Sequence, residues 1–221
     1  MIADLTWDRA DVPLAALFAV LTSPLGGDAD PLPEDELARL VEQARAGDTG
    51  ARRRLYTQLV DPVFRTVRGI LHSHADAEDV TQDALLTMMT SLDRYRPQAN
   101  ARFSAWVMTI ALNTARRRFR RRRPELTATG EVPDVVDMSA PDPAERLDRT
   151  RERRALLIAL RELTERDRTI VSLRYGAELN ASEIAAAVGV EPAAVRKTLE
   201  RARTRLGERI ETLLNPEGGS R

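Results

Sequence analysis

Apolar side chains in this sequence recur every three or four residues along most of its length, and this periodicity constrains the fold more than any other feature. The clearest run, formed by Leu55, Leu59, Val63 and Val67, has strict fourfold spacing. That spacing places the four side chains on one face of an α-helix, whereas a half-buried strand would alternate apolar and polar residues. Aromatic residues make up only 4% of the chain. The sequence therefore predicts an all-α protein.

Breaks in the periodicity divide the chain into two small helical domains. Its 221 residues exceed one typical domain of about 100 to 150 residues. Between Pro124 and Asp148 the sequence carries seven acids against Arg146, a net charge of minus six, and has no apolar period. The predicted divisions are an acidic extension over 1–33, a four-helix domain over 34–123, a flexible acidic linker over 124–143, a second domain over 144–214 and a disordered tail over 215–221.

Local start and stop signals predict the helix boundaries. Thr164 is a candidate cap for the helix that follows it, and Ser104 for the helix that runs into the arginine cluster. Acids from Asp76 onward favour a helix N-terminus, because the helix dipole is positive there. The predicted helices span 34–46, 50–71, 76–92, 104–123, 144–163, 165–175, 181–188 and 192–214.

The stretch from Leu179 to Leu206 contains the strongest local signal. Asn180 can cap a short helix, and Glu183 three positions later completes a capping-box pattern. Gly189 permits a tight turn, and Pro192 suits the first turn of the next helix. These residues predict two helices joined by a glycine turn.

The second of these helices would bury an apolar stripe and expose a charged face. A short helix, a glycine turn and a basic second helix are what a helix-turn-helix needs to enter the major groove of DNA. Arginine can pair with two acceptors on guanine, and lysine or arginine can hold phosphates. A helical hairpin with a solvated charged face would give the same pattern, and the sequence leaves both interpretations open. The exposed residues are Arg196, Lys197, Glu200, Arg201 and Arg203.

The stretch from Phe103 to Arg123 is the second candidate for nucleic-acid binding. Seven of the eight residues from Arg116 to Arg123 are arginine, whereas a helix C-terminus needs only one or two basic residues to complement its dipole. Trp106 and Asn113 could stack on and hydrogen-bond unpaired bases while the arginines hold phosphates. Trp106 could equally belong to the core.

A metal site or a redox site has little support in the sequence. Both histidines lie in the segment from His72 to Asp79, which resembles a metal-ligand cluster, but it joins two helices and no third histidine exists. Solvated histidines before an acidic helix start are the better interpretation. The chain has no cysteine, which excludes disulfides and thiolate sites. We expect no metal and no cofactor.

Charge and hydropathy bear on location. The 34 basic and 34 acidic residues cancel, which argues against coating nucleic acid by bulk charge. No run approaches the roughly 20 apolar residues of a membrane span, and the segment from Met1 to Trp7 lacks the basic flank of a secretory signal. We therefore expect a cytoplasmic protein without membrane insertion.

Taken in order, these pieces resemble the sigma-70 superfamily of RNA polymerase sigma factors, and specifically the extracytoplasmic-function (ECF) group, which keeps only the second and fourth sigma domains. The residues that carry the resemblance are DAEDVTQD at Asp76–Asp83, FSAWVMTIALNTARRRFRRR from Phe103, and the helix-turn-helix segment. The match covers 34–123 as sigma domain 2 and 144–214 as sigma domain 4. It implies an alternative sigma factor, with no enzymatic activity, that binds core RNA polymerase and directs promoter-specific initiation.

The resemblance also implies three sets of contacts. The clamp helices of the polymerase's largest subunit would bind Asp79, Gln82, Asp83 and Leu85. The minus-ten promoter element would contact Asn100, Arg102, Phe103, Trp106, Asn113, Arg116, Arg117 and Arg120. The minus-thirty-five element would contact Arg196, Lys197, Glu200, Arg201 and Arg203.

Further partners implied by the resemblance are promoter DNA, the flap of the second-largest polymerase subunit and an anti-sigma factor. Two other functions remain open at this point. One is a sigma-like transcription regulator that binds DNA or polymerase without directing initiation. The other is a metal-dependent hydrolase that would use His72 and His74.

The extension over 1–33 lies outside the resemblance. Val12, Leu14, Leu17, Phe18 and Leu21 have helical spacing, yet about ten residues are too few for a stable isolated helix. Such a helix needs a surface to dock on. With five aspartates and one arginine the extension has a net charge of minus four, so we expect it to dock on one of the two basic DNA-facing surfaces and restrain DNA binding. The alternative is an unstructured extension.

Overall fold

A computed structural model describes residues 12–19, 21, 32–97, 102–122 and 143–215 of the chain. All regular structure in these residues is helical, which confirms the all-α prediction. The nine α-helices are α1 (Val12–Ala19), α2 (Glu34–Arg45), α3 (Thr49–Ile70), α4 (His74–Ser91), α5 (Phe103–Arg122), α6 (Pro143–Arg161), α7 (Glu165–Gly176), α8 (Ala181–Val188) and α9 (Pro192–Leu214), with one 3-10 turn at Leu92–Arg94.

Helices α2 to α5, the first helical unit, pack around the stripe that the sequence predicts. Leu55, Leu59, Val63 and Val67 of α3 are all buried. Helix α3 packs against α2, α4 and α5, so it forms the centre of this unit. Helices α4 and α5 also pack against each other, so their solvent-exposed faces are adjacent.

The starts of α4 and α5 differ from the prediction. Helix α4 begins earlier, because Ser73 Oγ accepts a hydrogen bond from the Asp76 backbone N–H at 3.2 Å. Ser104 does not cap α5, which begins at Phe103. Glu34 of α2 instead accepts the Phe103 N–H at 2.9 Å, and Ser104 Oγ has no hydrogen-bond partner among the described residues.

Helices α6 to α9, the second helical unit, follow the predicted order. Thr164 caps α7 by accepting the Asp167 N–H, as the sequence predicts. Helices α8 and α9 have the predicted bounds. The predicted linker over 124–143 lies, except for its last residue, outside the described residues, and Pro143 already begins α6.

The two units pack against each other, which the sequence does not indicate. Helices α3 and α7 form the most extensive helix pair of the described chain. Two glycines permit this close approach: a Cβ added at Gly176 would lie 2.8 Å from the Thr66 backbone nitrogen, and one at Gly69 would collide with Ser172. A single buried cluster consequently includes side chains of both units, such as Val67 and Leu173.

Helix α1 also docks, but not where the charge argument placed it. It packs against α6 and α7, with Leu14, Phe18 and Leu21 buried among apolar residues of the second unit. The expected docking on a basic DNA-facing surface is therefore wrong. Apolar burial at a helix junction determines the position of this segment, rather than its net negative charge.

Candidate nucleic-acid interface

The turn between α8 and α9 is fixed by local hydrogen bonds. Asn180 Oδ1 accepts the backbone N–H groups of Ser182 and Glu183 at 3.0 Å each, and Glu183 Oε2 accepts the Asn180 N–H at 2.9 Å. This reciprocal pair is the predicted capping box. Gly189 ends α8 with φ of 73°, a left-handed conformation that glycine adopts without steric cost. The two helices therefore meet in a defined helix-turn-helix.

The exposed face of α9 carries the predicted recognition residues. Val195, Ala202 and Leu206 are buried, as the spacing predicts, whereas Leu199, which the spacing places in the same stripe, is only partly buried. Opposite them, side chains exposed to solvent come from Arg196, Lys197, Glu200 and Arg201, whereas Arg203 is half-buried. A row of cationic side chains at the N-terminal end of a helix that follows a tight turn has the geometry required for base contacts in the major groove.

The C-terminal half of α5 forms a second polar face. Asn113 and Arg117 are exposed and Arg116 is half-buried. Together with Thr87, Ile110 and Thr114, these side chains line an open groove between α4 and α5. The groove combines an amide, two guanidinium groups and two hydroxyls, which suit a nucleic-acid backbone. Two other predicted contacts, Asn100 and the side chain of Arg120, lie outside the part of the chain that the structure describes.

Three aromatic rings support the start of α5. Phe103 lies 4.9 Å from Tyr95 and 5.5 Å from Trp106, and Tyr95 lies 5.1 Å from Trp106, all measured between ring centroids. Phe103 is 2% exposed, so in this conformation its ring belongs to the core and is not available to a base. Trp106 is only partly buried, which reconciles the two interpretations of this residue: it packs on the core and retains an exposed part.

The face of α4 that the resemblance assigns to polymerase is largely exposed to solvent. Asp79, Gln82 and Asp83 are exposed. Leu85 is 1% exposed and packs in the core, so its side chain is not available as a surface contact. Its neighbour Leu86 is 65% exposed. Leu86 is therefore the exposed apolar side chain of this face, and the sequence does not single it out because both leucines fit the helical periodicity.

Arg118 links this face to α5. Its Nε donates to Asp76 Oδ1 at 3.0 Å, and its Nη2 donates to Asp79 Oδ2 at 2.6 Å. Burial lowers the pKa of Arg118, but the two carboxylates outweigh it and the net pKa is raised. One guanidinium thus joins the candidate polymerase face of α4 to the candidate minus-ten helix α5.

Arg102, a predicted minus-ten contact, is bound across the unit boundary. Its Nε and Nη2 donate to the two carboxylate oxygens of Glu183 at 2.7 Å each, and Nη2 also donates to the Glu178 carbonyl at 2.9 Å. Burial raises the pKa of Glu183. Hydrogen bonds from the Arg102 side chain and from the Asn180 backbone lower it by more than burial raises it, so the net pKa lies below its usual value. The residues are 81 positions apart, and no local sequence signal predicts their pairing.

The histidine segment has no metal-site geometry in the described chain. His74 Nε2 lies 3.4 Å from Glu78, and its ring packs edge-on against Phe64. Loss of solvent, followed by the charges of Arg168, Arg161 and Arg68, lowers the pKa of His72 to about 4. Within the described residues no group of three or more potential metal ligands occurs. None of the described helices has the length and apolar content needed to cross a membrane.

Comparisons with known proteins agree with this arrangement. The family description "Sigma-70 region 2" matches residues 55–125, and "Sigma-70, region 4" matches residues 153–206. The ECF RNA polymerase sigma factor BldN of Streptomyces coelicolor is 32% identical over 165 residues, which cover 74% of this chain and 61% of that protein. The RNA polymerase sigma-E factor of Streptomyces antibioticus is 31% identical, over 69% of this chain and 80% of that protein.

Two solved structures have a similar fold. CnrH, in complex with the cytosolic domain of CnrY, superposes with a TM-score of 0.57 at 25% identity, covering 81% of this chain and 97% of that one. The sigma factor RpoE of Bartonella quintana, in complex with the anti-sigma factor NepR, gives a TM-score of 0.52 at 19% identity, covering 83% and 96%. The second likeness supports the fold alone.

The chain belongs to the sigma-70 family and, within it, to the ECF group of alternative sigma factors, which direct transcription initiation. Members of this family are initiation factors and not enzymes. The hydrolase interpretation of His72 and His74 is therefore set aside.

Proposed function

We propose that this chain binds core RNA polymerase and directs initiation at promoters through two DNA contacts. In this proposal α5 and the loop before it contact the minus-ten element, and α9 contacts the minus-thirty-five element. The observation that carries the proposal is the capped helix-turn-helix with Arg196, Lys197, Glu200 and Arg201 exposed along α9. The flap of the second-largest polymerase subunit would bind the same helical unit.

The exposed chemistry of α4 supports a polymerase contact. Gln82, Asp83 and Leu86 are exposed on one helix, and they offer an amide, a carboxylate and an apolar side chain. A protein interface of this kind places an apolar anchor among polar residues. We assign this face to the clamp helices of the largest polymerase subunit, with Asp79 contributing while it is paired with Arg118.

The groove between α4 and α5 supports a minus-ten contact. Asn113, Arg116 and Arg117 line it, and they could hydrogen-bond bases and phosphates of an opened strand. Arg102 would join them only after it leaves Glu183, since the two are paired in the present arrangement.

An anti-sigma factor is a further proposed partner. Both similar solved structures are complexes, one with the cytosolic domain of CnrY and one with the anti-sigma factor NepR. In this proposal the partner would hold the chain away from polymerase until the partner is released. We propose that this chain acts in the cytoplasm, where bacterial polymerase and promoter DNA are found.

Run-off transcription tests the proposal. Purified chain is mixed with core polymerase and genomic fragments, and the transcripts are sequenced from their 5′ ends. We expect start sites that share two upstream elements and that are absent with core polymerase alone. Binding to DNA or to core polymerase without any specific transcript would overturn the proposal and favour the sigma-like regulator.

A further inference from the structure

Helix α1 fills an apolar groove in the second helical unit. Leu14, Phe18 and Leu21 are 3%, 0% and 2% exposed. They pack in one buried cluster with Leu156 and Leu160 of α6, and this cluster also contains side chains of α7 and α9. Ala19, next to Phe18, remains exposed. The groove thus receives Leu14 and Phe18 of α1 together with Leu21, which follows the helix, and it leaves Ala19 in solvent.

Phe18 lies at the junction of the two units. Its ring centroid is 5.8 Å from that of Tyr175 in α7. A Cβ added at Gly69 of α3 would lie 3.1 Å from Phe18 Cε1, and would also collide with Ser172 of α7. Phe18 therefore lies beside both units at one of the two glycine positions where α3 and α7 are tightly packed. A side chain in that position stabilises the packing of one unit on the other.

Helix α1 is too short to be stable without the groove. It has only eight residues, and an isolated helix of that length is not stable in water because nucleation is costly. Its helical structure therefore depends on the groove. A short helix that is ordered only by docking can leave and return, and its covalent attachment to the chain raises its effective concentration at the groove.

We propose that the groove formed by α3, α6, α7 and α9 is a helix-binding site, that its ligand is α1, and that α1 acts as a clasp that holds the two DNA-binding units together. In this closed arrangement Arg102 is bound to Glu183 of α8, so a candidate minus-ten residue is tied to the helix-turn-helix. The clasp stands on the packing alone. Its consequence, that release of α1 frees Arg102 for promoter DNA, rests on the proposed function.

The distance between the units tests the clasp. The chain has no cysteine, so spin labels can be attached at Thr90→Cys on α4 and Glu208→Cys on α9, both exposed positions. We expect Phe18→Asp to lengthen and broaden the distance distribution. The matched control Ala19→Asp adds the same charge to the same helix at an exposed position, and it should leave the distribution unchanged.

A second measurement covers the case in which Phe18→Asp disturbs folding. A chain lacking residues 1–21 is titrated with a fluorescent peptide of residues 10–23, ADVPLAALFAVLTS. We expect saturable binding that restores the short distance, and no binding by the same peptide carrying Phe18→Asp. Equal distances in the full-length and truncated chains, or no difference between the two peptides, would overturn the clasp. Run-off transcription is scored separately, so loss of the clasp and loss of the proposed function are distinguishable.

Discussion

Replacing Arg102 with alanine should destabilise the closed arrangement, and the ion pair with Glu183 allows the size of the effect to be worked out. Two charged hydrogen bonds of 2.7 Å join the side chains, and Glu183 is 1% exposed at its side chain while Arg102 is 37% exposed. Removing one partner of a buried pair costs about 3 to 5 kcal/mol, because the remaining charge is left without compensation. Since water reaches the arginine, we discount this to about 2 kcal/mol.

A loss of about 2 kcal/mol is roughly a thirty-fold change in an equilibrium constant, and for a chain of this size it lowers Tm by about 4 to 8 °C. Thermal unfolding followed by far-UV circular dichroism at pH 7 measures it. Arg96→Ala is the matched control, because Arg96 is exposed and donates only to the nearby carbonyls of Asp93 and Tyr95. The capping box stays intact in both variants, since Asn180 and Glu183 remain.

The pH dependence provides a second test of the same reasoning. The folded pKa of Glu183 is below its usual value, so the stability it contributes is complete above the unfolded value of about 4.3 and is lost as the pH falls through the folded pKa. Without Arg102 the buried carboxylate loses its main partner and its pKa rises. The difference in Tm between the unsubstituted chain and Arg102→Ala should therefore be constant from pH 6 to 8 and shrink below about pH 4. Equal Tm values for Arg102→Ala and Arg96→Ala at pH 7 would refute the argument.

Three further substitutions test other parts of the structure. Arg196→Ala should weaken binding to a promoter that depends on the upstream element by about 1 to 3 kcal/mol, while Arg205→Ala, also exposed on α9 but farther from its N-terminus, should change it little in the same gel-shift assay. Asp83→Arg should reduce co-elution with core polymerase while circular dichroism stays unchanged, because Asp83 is exposed; undiminished co-elution would remove it from the interface. Gly176→Ala should lower the free energy of unfolding by about 1 to 3 kcal/mol, since its Cβ would meet the Thr66 backbone at 2.8 and 2.9 Å; an unchanged urea midpoint would contradict that contact.

Features that depend on neighbouring residues were predictable from the sequence. Helices α8 and α9 have the predicted bounds because Asn180, Gly189 and Pro192 set them within a few positions. The cap of α5 was not predictable, because its acceptor is Glu34, 69 positions away. The pairing of Arg102 with Glu183 could not be predicted from the sequence for the same reason, since the two residues are 81 positions apart. Periodicity can assign a residue to a face, but it does not identify which distant partner that face meets.

The closed arrangement affects the three candidate contact surfaces unequally. Exposed side chains on α4 (Gln82, Asp83 and Leu86) and on α9 (Arg196, Lys197 and Arg201) remain open to solvent while the units are packed together, whereas Arg102 is engaged by Glu183. Under the proposed function, polymerase would bind α4 without any rearrangement, but a minus-ten contact through Arg102 would require the ion pair to break first. The free energy needed to break it must come from contacts that a partner makes only when the two units are apart. A partner that binds the packed and the separated units equally well does not shift the equilibrium between them. Under the proposed function, opening would thus be driven by partners that separate the two units, and promoter contact through Arg102 would follow.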